Sequence, residues 1–370
     1  MTTLDQASKI NILQVVADGN PGGGTTFVIS LVEELLKNNN LALHAVTDSG
    51  SYGHKALTGL CAKTFGLDFF KRKLSFSLPL QLSAIIEEVK PDIVHLHGGR
   101  AAFQCLLARF MHPRITFIYT VHGYHFVRKN PVARTIGMIA EKLISICMDA
   151  VVYVSKGDEA IAKTYRLLKN RSVIIYNGIR PVTLSTSTDK RFDVVFVGRM
   201  VRQKNPELAI EIFKQLNDNG YRFAMVGGGE KEAEIKHMIG NTGQIEFFGA
   251  QTHAETLDIL RSAKIILLPS RWEGLPLTLL EAMQFGIPAI VSNVTGNNEV
   301  IADGLNGHVI DDEDATAYAI KIKTLLNDAN LYNRQSLAAR KIFAEKYQME
   351  RCAQQYAQLY QDVMTQKASA

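Results

Sequence analysis

A unit that occurs twice limits the fold more than any other feature of this sequence. Residues 10–16, INILQVV, form an apolar run that leads through the loop DGNPGGGTT into an amphipathic segment at 27–37. The second half opens the same way: FDVVFV at 192–197, the loop GRMVRQKN, then a helical pattern at 206–216 whose first residue, Pro206, suits a first helical turn. Short β-branched runs follow at 93–97, 116–121, 150–155, 222–227, 265–270 and 289–292, each separated from the next by helical periodicity. Strands alternating with helices predict parallel sheets covered on both faces. The expected fold class is α/β, with two Rossmann-like domains.

A chain of 370 residues suits two domains of roughly 180 residues each. The expected domains are 1–180, 181–345, and a C-terminal helical segment, 346–370, packing back towards the first. The boundary is placed at 178–190, where NGI runs into the Ser/Thr-rich PVTLSTSTDK. Beyond Asp311 the pattern is helical, and one long segment, 337–364, exceeds what the second domain needs. Open parallel sheets bind ligands beyond the carboxyl ends of their strands, so two facing domains would hold a ligand in the cleft between them.

Composition narrows the class. Hydrophobic residues are 46% and charged residues 21%, as in a soluble globular protein, and a net charge of +5 suits phosphate ligands rather than nucleic acid. Cys61, Cys105, Cys147 and Cys352 form no CxxC pair, and MTTLDQASK has no apolar h-region. Both point to a cytoplasmic protein. The apolar stretch 136–154 is interrupted by Glu141, Lys142 and Asp149, and reads as a helix and a strand rather than a membrane span.

The chemistry concentrates in SRWEGLPLTLLEAMQFGIPAI, 270–290. A strand turns through a loop carrying Glu273 into a helix from Leu277, and Gly286 ends that helix. The helix amides around 274–278 favour an anion, phosphate above all. Glu281 lies one turn beyond Leu277 in an apolar helix. Thr278, Glu281 and Gln284 also form a narrow polar stripe, so periodicity alone leaves Glu281 equally readable as a surface residue.

This stretch resembles the E-x7-E signature of retaining, GT-B-fold glycosyltransferases of family 4. VGRMVRQKNPELAIEIF is similar to that family's G-R-x4-K loop, VGGGEKEAEI to its Gly-rich turn, IEFFGAQTHAETLDIL to its nucleobase loop and IIYNGI to its domain junction. PGGGTT and TVHGYHF in the first half fit more loosely. The resemblance implies a hexosyltransferase that takes its sugar from a nucleotide diphosphate donor, UDP-linked by preference, without a metal or other cofactor. Its acceptor would be a lipid-linked or growing bacterial surface glycan.

The resemblance also implies roles. Arg199 and Lys204 would clamp the diphosphate, Glu281 would hold the ribose hydroxyls and Glu273 would contact the transferred hexose. Gly198, Gly274, Leu275, Pro276 and Leu277 would complete the phosphate and sugar contacts, and Ala250 and Gln251 would offer backbone groups to the base. In the first domain Gly22, Gly23 and Gly24 would admit the diphosphate, and His122 would stand near the hexose C6 hydroxyl. His95, His97 and His125 are expected to be structural. In the family mechanism a phosphate oxygen can take the acceptor's proton, and no Ser-His-Asp arrangement is found in the sequence.

Two rivals remain open: a nucleotide-sugar epimerase of similar architecture, and a non-catalytic nucleotide-sugar-binding subunit. Asp312-Glu313-Asp314 spells a metal motif of another fold but is expected to cap a helix. Gly227–Gly229 lacks the rest of a dinucleotide fingerprint. FFKRKLSF at 69–76, with Arg128, Lys129 and Arg134, offers a basic, partly apolar face that could rest peripherally on the cytoplasmic side of the inner membrane.

Overall fold

The computed structural model describes residues 9–70, 77–128, 130–169, 171–182, 189–216, 220–240, 243–311 and 313–368. The chain divides into two compact units, Met1–Arg180 with Met349–Ala370, and Pro181–Gln348.

The first unit is built on a parallel sheet of β1 (Ile10–Val16), β2 (Leu41–Asp48), β3 (Thr64–Leu67), β4 (Ile93–His97), β5 (Thr116–Val121), β6 (Ala150–Tyr153) and β7 (Ser172–Ile174). Their order is β3-β2-β1-β4-β5-β6-β7, and every described pairing is parallel. β4, β5 and β6 are buried along their whole lengths, which is why they read as unbroken apolar runs rather than alternating ones. The second unit repeats the plan with β8 (Phe192–Val197), β9 (Phe223–Val226), β10 (Ile245–Gly249), β11 (Ala263–Leu268), β12 (Ala289–Ser292) and β13 (Gly307–Ile310), in the order β10-β9-β8-β11-β12-β13. Each sheet has its own apolar core, one around Phe117, Tyr119 and Tyr153, the other around Phe196, Phe213 and Phe223.

Both orders reverse beside the first strand of the unit, between β1 and β4 and between β8 and β11. At such a switch point the loops leaving the two central strands diverge to opposite faces and open a crevice. The loops after β8 and β11 are those that carry Arg199, Lys204 and Glu273.

Two expectations need correction. The first helix runs Gly23–Leu35, not 27–37, so the glycines expected in a loop form its first turn. The long C-terminal helix is two helices, Ala329–Lys346 and Met349–Ala368. The first ends where the Tyr347 amide bonds to Phe343 O, and the second begins where the Met349 amide bonds to Ile179 O at 2.9 Å, tying it to the first unit. The return therefore starts at Met349 rather than 346. Among the described residues no helix is long and apolar enough to cross a membrane. All four cysteines are free.

Candidate active site

In the second unit the site begins with interlocked loops. Gly227 (φ 134°) and Gly229 (φ 156°) sit where a Cβ would lie 2.0 Å from Gly198 O and 2.6 Å from Met200 O. Only glycine permits that approach. The Met200 amide then bonds to Gly228 O at 2.9 Å, and the Gly227 amide to Gly249 O at 2.8 Å. The Gly-rich turn thus holds the Arg199–Lys204 loop in place rather than gripping a dinucleotide. On its other side that loop is joined to the β11 loop. The Arg271 amide bonds to Gln203 O at 2.8 Å, and Gln203 Nε2 donates to Trp272 O at 3.1 Å and to Glu273 Oε2 at 3.4 Å.

Within this frame Lys204 Nζ donates to Glu273 Oε1 at 2.7 Å, and both side chains are largely buried, 13% and 5% exposed. Arg199 is exposed, and among the described residues its guanidinium has no partner. The helix Leu277–Gln284 follows, with Pro276 at its N-cap, no side-chain cap and no acid in its first turn. The Leu279 amide bonds to Pro276 O at 3.1 Å, and no side chain offsets the positive end of the helix dipole, a setting that favours an anion. Gly296 (φ 85°) backs this corner, since a Cβ there would lie 1.9 Å from Gly274 O.

Glu281 is 8% exposed, so it does not lie on a polar surface stripe. Its Oε1 accepts from His253 Nε2 at 2.8 Å, and this contact raises the imidazole pKa against the opposing effect of burial. Gln284 is buried as well, its Oε1 accepting from the Val182 amide at 2.9 Å. His253 opens the helix His253–Arg261, which is fixed by a capping box between Thr252 and Glu255. Gln251 Nε2 folds back onto Phe248 O at 2.7 Å, beside Ala250.

The first unit, taken by itself, holds two of the features singled out in the sequence. Gly22 caps the Gly23–Leu35 helix with no side-chain bond, and a Cβ at Gly22 or Gly24 would meet nothing within 4 Å. His122, half-buried after β5, stacks on His97 at 5.7 Å and edges Phe27 at 5.5 Å. Behind it runs a buried polar chain. His97 Nε2 lies 2.8 Å from Gln14 Oε1, Gln14 Nε2 donates to Tyr360 Oη at 3.1 Å, and Tyr360 Oη lies 2.7 Å from His95 Nδ1. His95 Nε2 meets Thr120 Oγ1 at 2.8 Å, and Thr120 Oγ1 meets Tyr356 Oη at 3.2 Å.

Burial pushes His95 down to about 3 and holds His97 well below the ordinary imidazole value, with neighbouring histidines acting in the same direction. Both rings are neutral. With the Gln14 amide donating to Tyr360, its oxygen accepts from His97 Nε2–H. This leaves the His97 Nδ1 lone pair facing His122 Nε2 across 3.5 Å. His95 and His97 are both buried and hydrogen-bonded.

Two family descriptions match this chain: Glycosyltransferase Family 4 over residues 21–182 and Glycosyl transferases group 1 over residues 185–342. The chain belongs to glycosyltransferase family 4. An O-antigen biosynthesis glycosyltransferase of Escherichia coli, WbnH, is 26% identical over 91% of this chain and 96% of its own. A UDP-Gal:alpha-D-GlcNAc-diphosphoundecaprenol alpha-1,3-galactosyltransferase, also of Escherichia coli, is 24% identical over 78% of this chain and 80% of its own. Among solved structures, HepE of Anabaena in complex with UDP and glucose superposes with a TM-score of 0.81 at 17% identity, over 94% of this chain and 98% of that one. The fold is GT-B.

In this glycosyltransferase the second unit brings Lys204, Glu273, Gly274–Leu277 and Glu281 onto adjoining loops and one helix end, with Arg199 on the same β8 loop. His122, Gly23 and Gly24 belong to the first unit. The sequence reading missed His253, Gln203 and Gly296. His253 had a usable signal: a buried helical carboxylate needs a cationic or donor partner, and QTH stood in a loop already singled out. Asp314 caps the helix Ala315–Asn327, its side chain accepting from the Thr316 amide, as expected, whereas Asp312 lies outside the described residues. So do Lys71, Arg72, Lys73 and Lys129 of the basic face, and the side chains of His125 and Arg128.

Proposed function

We propose that this glycosyltransferase moves a hexose from a UDP-sugar to a hydroxyl of a lipid-linked or growing surface glycan, with retention of anomeric configuration. The observation that carries this reading is the pair of buried carboxylates flanking the uncapped end of the Leu277–Gln284 helix, Glu273 held by Lys204 and Glu281 by His253. A ribose diol needs a fixed bidentate acceptor, and Glu281 supplies one. A departing diphosphate needs positive charge, and Arg199, Lys204 and the helix amides supply it. On this reading the reaction needs no metal, because those groups neutralise the leaving group.

Substrate classes are inferred from relatives. The galactosyltransferase above is named for a UDP-sugar and a diphosphoundecaprenol acceptor, WbnH for O-antigen synthesis, and HepE was crystallised with UDP. Such an acceptor places the enzyme on the cytoplasmic face of the membrane. Of the acceptor's proton we propose that a donor phosphate oxygen takes it, with His122 near the hexose orienting rather than abstracting. The test is incubation with UDP-glucose, UDP-galactose and GDP-mannose and a diphosphoundecaprenol-linked monosaccharide, with the product anomer read by NMR. An α-linked product from a UDP-sugar is expected. A β-linked product would refute retention, and turnover only with GDP-mannose would refute the donor class.

A further inference from the structure

The helix Pro131–Cys147 is apolar on two sides: Ile144 is buried in the first unit's core, with Met138 and Cys147 packed against it. Its core side carries a carboxylate, Glu141, which accepts from Tyr119 Oη at 3.2 Å. The opposite pole is aliphatic: Val132, Ile136, Ile139, Leu143 and Ile146 recur at alternating steps of four and three and are 71, 63, 51, 49 and 62% exposed. A surface helix ordinarily presents charged and polar residues on its outer face. The adjoining helix Leu106–Met111 exposes Leu107, Phe110 and Met111 as well. A contiguous apolar ridge of this extent marks an interaction surface.

Charge identifies the occupant. Arg134, Lys142 and Arg166 are exposed, and among the described residues none has a carboxylate partner. Glu141 is the only acid on the helix and faces inward. Beside Ile146 and Leu168, three cations, Lys142, Arg166 and Lys169, line an open depression of about 270 Å³. Two copies of such a face would bring like charges together, which opposes self-association. An aliphatic pole flanked by Arg134, Lys142 and Arg166, with Lys169 beside them bonded to Ile146 O at 2.8 Å, matches a surface of anionic headgroups over acyl chains.

We propose that the Pro131–Cys147 helix lies in the plane of an anionic phospholipid surface, with its aliphatic pole at the acyl boundary and Lys142, Arg166 and Lys169 on headgroup phosphates. The proposal deepens the reading that the acceptor is lipid-linked, and of the basic face expected from the sequence it draws on Arg134 alone, which lies on this helix.

The test is co-sedimentation of the full chain with phosphatidylglycerol/phosphatidylethanolamine vesicles and with phosphatidylcholine vesicles, using wild type, Ile136→Asp/Ile139→Asp and Lys142→Glu/Arg166→Glu. Both double variants change exposed side chains, and their melting temperatures confirm that they fold. Wild type is expected to bind the anionic vesicles, with a partition coefficient about tenfold or more lower in either variant. Wild type that does not sediment, or binds phosphatidylcholine equally well, overturns the proposal. So does a wild-type dimer, seen by light scattering, that Ile136→Asp/Ile139→Asp dissolves. UDP-sugar thermal shifts on the same samples separate the two claims. A shift without vesicle binding refutes the surface alone, and vesicle binding without a shift refutes the donor assignment alone.

Discussion

His253 Nε2 lies 2.8 Å from Glu281 Oε1, and the two meet because a capping box starts one helix where an apolar helix turns its one carboxylate. The folded-state pKa of His253 is raised by this contact. A raised imidazole gives stability that is fully present below its unfolded value, about 6.5, and is lost as pH climbs through the folded value. The melting temperature of wild type should therefore exceed that of His253→Gln at acid pH, and the gap should close in alkaline buffer. A gap that widens with pH would remove the ion pair from the account.

Lys204 and Glu273 form an ion pair in a largely buried setting. Lys204→Met leaves a buried carboxylate alone, at a cost of about 3 kcal/mol in stability, and should lower kcat/KM by roughly a hundredfold or more. The double variant Lys204→Met/Glu273→Gln should recover most of the stability and none of the activity. Denaturant titration beside kinetics separates the two effects. Recovery of both together would mean that the pair is structural only.

Gly296→Ala meets backbone, not a yielding side chain, and at a positive φ. It should cost about 2 kcal/mol or more and shift Gly274, the first residue after Glu273, so that donor binding weakens as well. Gly24→Ala, inside a helix and with open space around its Cβ, should be neutral or stabilising by up to about 1 kcal/mol. Equal stability of the two variants by chemical denaturation would contradict the close approach at Gly296.

Glu141 is pushed up to about 7, chiefly by burial, against an ordinary value of 4.5. A carboxyl raised in the folded state binds its proton more tightly there, so stability falls as pH rises between those two values. Glu141→Gln should be near neutral at pH 4.5 and stabilising by about 2 kcal/mol above the raised value, once partial exposure is allowed for. Urea midpoints across that range provide the check, and a pH-independent difference would contradict it.

Much of this was legible in the sequence because it depends on local periodicity. β1, β8 and the helix Pro206–Leu216 fall where the apolar runs end, and the break at Gly286 follows from its φ of 66°. The two carboxylates and the cation loop could be placed because strands of a parallel sheet deliver their loops to one edge. What sequence alone did not yield are partners distant along the chain. Pairing of His253 with Glu281, of Gln14 with Tyr360 and of Gly296 with Gly274 depends on how helices and loops pack. Glu281 could not be assigned to core or surface, because burial of Gln284 and Glu281 is settled by what covers the helix. The two-helix ending was missed because no Gly or Pro marks the break at Tyr347–Gln348, after which the Met349 amide bonds to Ile179 O.

The central claim is that the end of the Leu277–Gln284 helix, with Glu281, receives a UDP-sugar. Calorimetric titration of wild type and Glu281→Ala with UDP-glucose, UDP-galactose and GDP-mannose tests it most directly. The account predicts binding of at least one UDP-sugar by wild type, weakened roughly 10- to 100-fold by Glu281→Ala, as expected for lost hydrogen bonds to a charged acceptor. Equal affinity of the two proteins for the same UDP-sugar would contradict it.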